Sequence, residues 1–202
     1  MSPLSRTRLH SAGRWAVGIG LVAAAWVVAA LAPDSDFAKQ EFPVAASVGE
    51  LAQGRNLQLT VLDVAGASEL SDAHGWRGDG PWLLVTFEAE AMFEETGASL
   101  ARMDLRIPDG EGGDRTYRAS ERPNLAAAPR ERLSIGLPST ATAAFELPAD
   151  ALEDSEANRR AVVEFGFDAV NRQLDSVIRL DVDLTALPFD APADIADRAW
   201  SR

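Results

Sequence analysis

Ala-Arg-Met-Asp-Leu-Arg-Ile, residues 101–107, is the stretch of sequence that decides the fold of this chain. Its apolar residues stand at every second position and alternate with Arg102, Asp104 and Arg106. Successive side chains of a strand point to opposite faces of a sheet, so this alternation predicts a β-strand with one buried face and one polar face.

Seven other segments have the same short, alternating or β-branched character. They are residues 57–64, 82–90, 115–118, 133–137, 142–147, 161–167 and 177–184. The segment 82–90 begins with a continuous apolar run, which indicates a central strand buried on both faces. Residues 149–160 are expected to form a short helix, because their acids precede their arginines.

About eight strands separated by turn-rich loops predict an all-β domain over residues 53–186. The class that fits is an immunoglobulin-like antiparallel β-sandwich, and a small barrel is the alternative. With no cysteine in the chain, a packed core must stabilise this domain without disulfides.

Residues 15–32, WAVGIGLVAAAWVVAALA, form an uncharged run preceded by Arg6, Arg8 and Arg14. Such a run is long enough for a transmembrane helix in the lipid bilayer, and the upstream arginines favour a cytoplasmic N-terminus. We therefore expect a cytoplasmic basic segment at 1–14, a helix at 15–32 and a tether at 33–52. The sandwich would lie outside the cytoplasm, and 187–202 would be a flexible tail.

A cleaved signal peptide is the competing interpretation, since Ala30-Leu31-Ala32 satisfies its small-residue pattern. The apolar run is longer than the usual 7–15 residues, and Pro33 would directly follow a cut after Ala32. Both features favour an uncleaved anchor. A lipoprotein is excluded because the chain has no cysteine to carry the lipid.

The part of the chain after the uncharged run has 31 acidic residues against 16 arginines and lysines, a net charge of −15. This balance argues against nucleic acid as a partner, because phosphates need basic contacts. One histidine outside the N-terminal segment and no cysteine also exclude the usual zinc sites. No cofactor is expected.

Four places in the sequence resemble a family of bacterial immunoglobulin-fold domains that are exported or membrane-anchored and whose function is unknown. These domains are described as telokin-like, and the family includes a mycobacterial immunogenic antigen. They are the opening strand at 57–64, the tryptophan-led strand at 82–90, the Asp109-Gly110 turn leading to Tyr117, and Phe145-Glu-Leu-Pro148. A glycine of that pattern is missing near residues 130–132. The resemblance implies a binding or accessory role and supplies no catalytic residues.

Four groups of residues could do chemistry, and each has a simpler explanation. His74 lies close to Ser71 and Asp72, but neighbours in one loop rarely form a catalytic triad. The acids of 109–114 do not match the EF-hand spacing and are typical of a soluble turn. Residues 77–79 spell Arg-Gly-Asp, which a glycine-rich turn also explains. The acids Glu88, Glu90, Glu94 and Glu95 are typical of a solvent-facing strand and loop.

We expect Trp76 to be exposed, since a tryptophan in a glycine-rich loop is poorly placed for the core. Trp76 and Arg77 are the residues that we expect to contact a partner, because they belong to the residue types most enriched in binding hot spots. A connector without a role is the alternative for this loop, 72–82. The sequence thus predicts a non-enzymatic, membrane-anchored binding or accessory module of the bacterial cell envelope, with a possible envelope protein as its partner. The alternative is an accessory subunit of a membrane transporter or secretion assembly, whose anchor would pack against partner helices through Gly18 and Gly20.

Overall fold

The structure is a computed structural model that describes residues 6–31, 41–93, 99–123, 133–167, 175–197 and 199–200. The chain divides into two compact units, Met1–Lys39 and Gln40–Arg202. Each unit is described by itself below.

The first unit contains one helix, α1, which extends over Arg6–Leu31. Its large apolar side chains are exposed, with Trp15 at 72% and Trp26 at 75% of their accessible surface. Among the described residues, no helix combines the length and the apolar character that crossing a membrane requires. The anchor predicted at 15–32 stays a prediction.

The second unit is built almost entirely of strands. These are β1 (Phe42–Ala46), β2 (Leu51–Gln53), β3 (Leu57–Asp72), β4 (Arg77–Ala91), β5 (Arg102–Pro108), β6 (Asp114–Arg118), β7 (Ser139–Glu146), β8 (Ala161–Gly166), β9 (Ser176–Val182), β10 (Pro192–Ile195) and β11 (Ala199–Trp200). Between β7 and β8 lie a 3-10 helix, Ala149–Leu152, and α2, Glu156–Arg159. A second 3-10 helix, Leu184–Ala186, follows β9.

The strands form two sheets. The first sheet has the order β1-β9-β8-β5-β6, in which β1 runs parallel to β9 and the other pairs are antiparallel. The second sheet has the order β10-β3-β4-β7-β11, and β2 also pairs with β3. The prediction of an all-β fold is therefore confirmed at the level of a two-sheet β-sandwich.

The core lies between the two sheets. Phe87 of β4 contacts Phe165 of β8 across the interior, with ring centroids 5.0 Å apart. Met103, Leu105 and Ile107, the apolar residues of the deciding stretch, are all buried. The alternation read from residues 101–107 is therefore confirmed on its apolar side.

A second apolar cluster covers the outer face of the second sheet. Trp82 and Leu84 of β4 point outward and are buried there with Ile195 of β10. The expectation that 82–90 is a central strand is confirmed, since β4 lies between β3 and β7. Both faces are buried over residues 82–85, whereas Thr86, Glu88 and Glu90 are only partly buried.

The structure corrects both ends of the predicted domain. Residues of the expected tether form β1 and β2, and residues of the expected flexible tail form β10 and β11. β1 pairs with β9, and β10 pairs with β3, through parallel backbone hydrogen bonds. Such pairing does not require alternating apolar residues, so the sequence did not indicate these strands. The folded unit therefore begins near residue 40 rather than at residue 53.

One predicted strand is absent. Residues 133–137 form a turn closed by an isolated bridge between Ser134 and Leu137. Gly136 has a φ of 71°, which suits a turn and not a strand. Ile135 and Leu137 are about half exposed, so their apolar character did not indicate burial in a sheet.

Candidate functional site

A row of charged side chains crosses the outer face of the first sheet. Backbone pairing aligns Arg179 of β9 with Glu164 of β8, Glu164 with Asp104 of β5, and Asp104 with Arg118 of β6. We call this row, together with Arg102 and Arg106 on either side of Asp104, the charged face. It places four arginines and two carboxylates on adjacent strands.

Glu164 is the centre of the charged face. Its side chain is 1% exposed and is surrounded by three guanidinium groups. The Nε of Arg179 donates to Oε1 of Glu164 at 2.9 Å, and Nη1 of Arg106 donates to the same oxygen at 3.3 Å. Arg102 donates to the other oxygen, Oε2. A charge this deeply buried persists because it is paired and hydrogen-bonded on both oxygens.

Arg102 connects the charged face to the edge of the sheet. Its side chain is 8% exposed and donates to Glu41, which directly precedes β1, as well as to Glu164. Its Nε lies 3.5 Å from Oδ2 of Asp104. Arg102 lies against Gly166, the residue paired with it on β8, where an added Cβ would be in ordinary contact with its Cδ at 3.7 Å.

Arg106 forms ion pairs with two carboxylates, Glu164 at 3.3 Å and Asp114 at 2.7 Å. Burial alone would lower the pKa of Arg106. The charges of Glu164 and Asp114 and the hydrogen bonds to them outweigh that effect and raise the pKa above its ordinary value. Arg106 therefore stays charged.

The charged face contains an open depression. Its lining residues are Arg102, Asp104, Arg106, Thr116, Arg118 and Glu164. The lining carries three guanidiniums and two carboxylates, and Glu41 and Asp114 neutralise Arg102 and Arg106 from outside the lining. Arg118 is 68% exposed at its rim and approaches Asp104 at 3.7 Å, so its planar donors remain accessible to an acceptor from outside.

This site was not predicted from the sequence. Arg102, Asp104 and Arg106 were expected on the polar face of a strand, whereas Arg102 and Asp104 are each only 7% exposed. The partners lie on β8 and β9, about 60 and 75 residues further along the chain. One signal was present: Glu164 is a lone charge in the apolar segment 161–167, and a buried charge needs a partner.

The two residues predicted to contact a partner lie elsewhere, at the tip of the β3–β4 hairpin. Trp76 is only partly exposed and packs edge-to-face against Trp82, with centroids 5.8 Å apart. The expectation of an exposed Trp76 in a long loop is therefore wrong, since β4 already begins at Arg77. Arg77 is 68% exposed and pairs with Glu69 at 2.9 Å. Partner binding at these residues stays a prediction.

The hairpin tip does not assemble the imagined triad. His74 lies 3.3 Å from Asp197, and the Oδ1 of Asp72 accepts the backbone N–H groups of His74 and Trp76 at 2.8 Å each. Ser71 donates to Asp194. The Arg-Gly-Asp sequence begins β4 and does not form a free loop. The indole of Trp76 also lies against Gly78, the glycine of this tripeptide.

The acidic turn after β5 is organised around Asp109. Its Oδ1 accepts the backbone N–H groups of Glu111 and Gly113 at 2.9 Å each, and these bonds lower the pKa of Asp109 below its ordinary value. Within the described parts of the chain, no three acidic or histidine side chains are grouped as metal ligands. Glu94 and Glu95 lie outside the described residues.

Comparison with known proteins gives neither a family nor an activity. No protein-family model matches the chain, and no curated protein matches it. Among solved structures, it is similar to an uncharacterized β-sandwich protein from Clostridium difficile 630, at a TM-score of 0.44 and 8% identity over 69% of this chain and 95% of that one. It is also similar to the yjhA protein from Bacillus subtilis, at a TM-score of 0.44 and 15% identity over 67% of this chain and 99% of that one. Membership of the telokin-like family stays a prediction.

Proposed function

We propose that this protein is a membrane-anchored, extracytoplasmic binding module of the bacterial cell envelope, non-enzymatic, with the charged face as its contact surface. The observation that carries the binding role is the depression on that face. Buried pairs with Glu164 hold its arginines in place on a rigid sheet, while Arg118 remains open to solvent at the rim. Rigid placement lowers the entropy lost when such side chains meet a partner.

The partner expected for this surface is an envelope protein that presents carboxylates. The guanidinium of Arg118 can form a two-pronged pair with a carboxylate, and such pairs give direction as well as energy. The acidic remainder of the domain would repel an acidic partner, whereas the exposed guanidinium of Arg118 attracts one. On a domain of net charge −15 this contrast favours one docking orientation.

We also propose the immunoglobulin type for the sandwich, and its strand order supports this assignment. In immunoglobulin domains one sheet contains strands C, F and G, to which C′ is added in variable domains, and the other contains A, B, E and D. Here β6-β5-β8-β9 takes the places of C′-C-F-G, and β3-β4-β7 takes the places of A-B-E. The charged face is then the outer face of the C′CFG sheet.

The packing between the sheets also supports that assignment. Antibody domains link strands B and F through a disulfide across the core. In this chain the corresponding strands, β4 and β8, are joined by the contact between Phe87 and Phe165. The aromatic pair occupies the place that a disulfide would take, in a chain that has no cysteine.

The location outside the cytoplasm is proposed from the sequence. The uncharged run 15–32, the three arginines before it and the absence of acids ahead of Asp34 all favour an anchor with its N-terminus inside. The 40 residues that precede Glu41 would then hold the sandwich at the outer surface of the membrane. The resemblance to anchored telokin-like domains supports the same placement.

Crosslinking in native membranes tests the binding role. A photoreactive residue at Thr116, which lines the depression, should form a specific protein adduct in the full-length protein. The same residue at Leu62, exposed on the other sheet, should form none.

Two arginine variants make this test specific. Arg118→Glu should abolish the adduct at position 116. Arg122→Glu should leave it intact, although Arg122 is similarly exposed, at 66%, and also pairs with a carboxylate, Glu146. Adducts that survive Arg118→Glu, or that form only at position 62, would contradict the assignment of the charged face.

A further inference from the structure

One end of the sandwich is where the chain arrives from residue 40, and we call it the linker end. β1 begins there at Phe42, whose backbone N–H donates to the carbonyl of Asp175 at 2.9 Å. The side chain of Asn56 donates to Asp175 at 3.1 Å, and the carbonyl of Asn56 accepts the N–H of Met92 at 2.8 Å. These bonds place the starts of β1, β3 and β9 beside the end of β4.

The turn before β7 belongs to the same end. The backbone N–H of Gly136 donates to the side chain of Glu90, close to the end of β4. This contact brings Ile135 and Leu137 to the same end as Phe93, which lies two residues beyond the end of β4. The linker end therefore gathers loops from both sheets.

Large apolar side chains are exposed at the linker end. Phe42 and Phe93 are each 58% exposed, Leu137 is 54% exposed and Ile135 is 49% exposed. Single exposed apolar residues are common on any protein, but a group on the loops of one end marks an interaction site. Two of these four are aromatic, a residue type that lies well at the interface between lipid headgroups and acyl chains.

The opposite end of the sandwich has the opposite character. Exposed carboxylates lie on the turn after β5, on the segment between β7 and β8, and at the end of β9. They are Asp109, Glu111, Asp150, Glu153, Asp154, Glu156 and Asp183. Three arginines, Arg115, Arg159 and Arg160, accompany these seven acids. The domain is thus polarised along the strand direction, with an apolar end at the linker and an acidic end away from it.

We propose that the linker end inserts its exposed apolar side chains into the outer interface of the bilayer that holds the anchor. This inference rests on the membrane anchoring proposed above. Residues 32–40 can span at most about 30 Å, so an anchored chain confines the linker end to the vicinity of the headgroups. The acidic end is repelled by anionic lipids, which favours the same orientation.

The inserted end has a consequence for the charged face. Interfacial insertion of a few apolar side chains restricts how the domain tilts on its linker. The strands then stand away from the membrane, and the charged face is presented sideways to neighbouring envelope proteins. A freely tumbling domain would present it in all directions.

The test uses the full-length protein reconstituted in phosphatidylcholine vesicles. Because the chain has no cysteine, Ile135→Cys and Glu111→Cys each introduce a unique position for a nitroxide spin label. The label at 135 should be more accessible to oxygen, which concentrates in lipid, than to a water-soluble nickel complex. The label at 111 should show the reverse preference.

A triple variant, Phe42→Ser, Phe93→Ser and Leu137→Ser, provides the control, with an unchanged melting curve as the check on folding. In this variant the label at 135 should acquire the aqueous accessibility of the label at 111. Protein that is retained by the vesicles but has aqueous labels at both positions would overturn the insertion and leave the anchor standing. Protein that is not retained at all would overturn the anchor, and the insertion with it.

Discussion

Glu164 is a single carboxylate in the apolar strand β8, and its stability rests on three arginines from β5 and β9. Glu164→Gln should lower the free energy of unfolding by about 3 kcal/mol, because Arg102 would keep a buried charge with a weaker partner. Arg106 and Arg179 are 34% and 39% exposed and can turn toward water, which limits the loss. Urea denaturation measures the change.

Glu146→Gln is the matched control for that variant. Glu146 is 49% exposed and pairs with the exposed Arg122, and exposed pairs contribute about 0–1 kcal/mol. Equal losses for the two variants would show that Glu164 has no special role in holding the charged face.

Asp109 gives a prediction about acid. Its pKa is lowered in the folded protein by the N–H groups of Glu111 and Gly113, from a model-peptide value of 3.8. A carboxylate with a depressed pKa stabilises the fold above its unfolded-state pKa, and this stabilisation is lost as the pH falls through the folded-state pKa. The stability difference between the native protein and Asp109→Asn should therefore be constant above about pH 5 and should shrink below pH 4. Thermal melts across this range check the direction, and a difference that grows toward low pH would contradict it.

At the scale of single residues, sequence reasoning found the buried apolar side chains and missed their polar counterparts. Trp82 was correctly expected in the interior because it leads a continuous apolar run. Trp76 was misplaced because its burial depends on Ile195 and other residues of a distant strand. Arg102 and Glu164 escaped because ion pairing across a sheet leaves no local pattern in the sequence.

At the scale of elements, the C-terminal segment adds one close backbone approach to its strand pairing. Gly66 of β3 lies directly against the carbonyl oxygen of Pro188 and the ring of Phe189, so an added Cβ would collide with both. Gly66→Ala should destabilise the protein by about 1–3 kcal/mol and loosen β10 from β3, as overpacking does. Limited proteolysis should then release the residues after 186 sooner than in the native protein.

Gly166→Ala is the control, since its added Cβ would meet the nearest side-chain atom at 3.7 Å. Its effect should stay within about 0.5 kcal/mol. If cleavage rates are the same in the native protein and in both variants, the packing of this segment on Gly66 does not order the C-terminal part of the chain.

The elements that could be predicted share one property. β3, β5, β7 and β9 each bury a face and carry an apolar period of two over part of their length, while β4 and β8 carry continuous apolar runs. β1 and β10 are edge strands whose order comes from backbone pairing, and FPVAA and PADI show no such period. The limits of the domain were wrong for this reason, while its class was right.

At the scale of the whole molecule, the chain combines an exposed apolar helix in one unit with a polarised sandwich in the other. The two-sheet class could be predicted from about eight short strands, because few folds satisfy that pattern. The position of the charged face could not, because it depends on which strands become neighbours. The order of the strands is set by the points at which the chain passes from one sheet to the other.

The proposed function depends most on the side of the membrane on which the sandwich lies. A reporter enzyme that is active only outside the cytoplasm, fused after Arg202, measures this in intact cells together with fractionation of the membranes. We predict full reporter activity, recovered in the membrane fraction as a fusion of undiminished length. An inactive reporter, or an active fusion shortened at its N-terminus and released into the soluble fraction, would contradict the anchored, extracytoplasmic module.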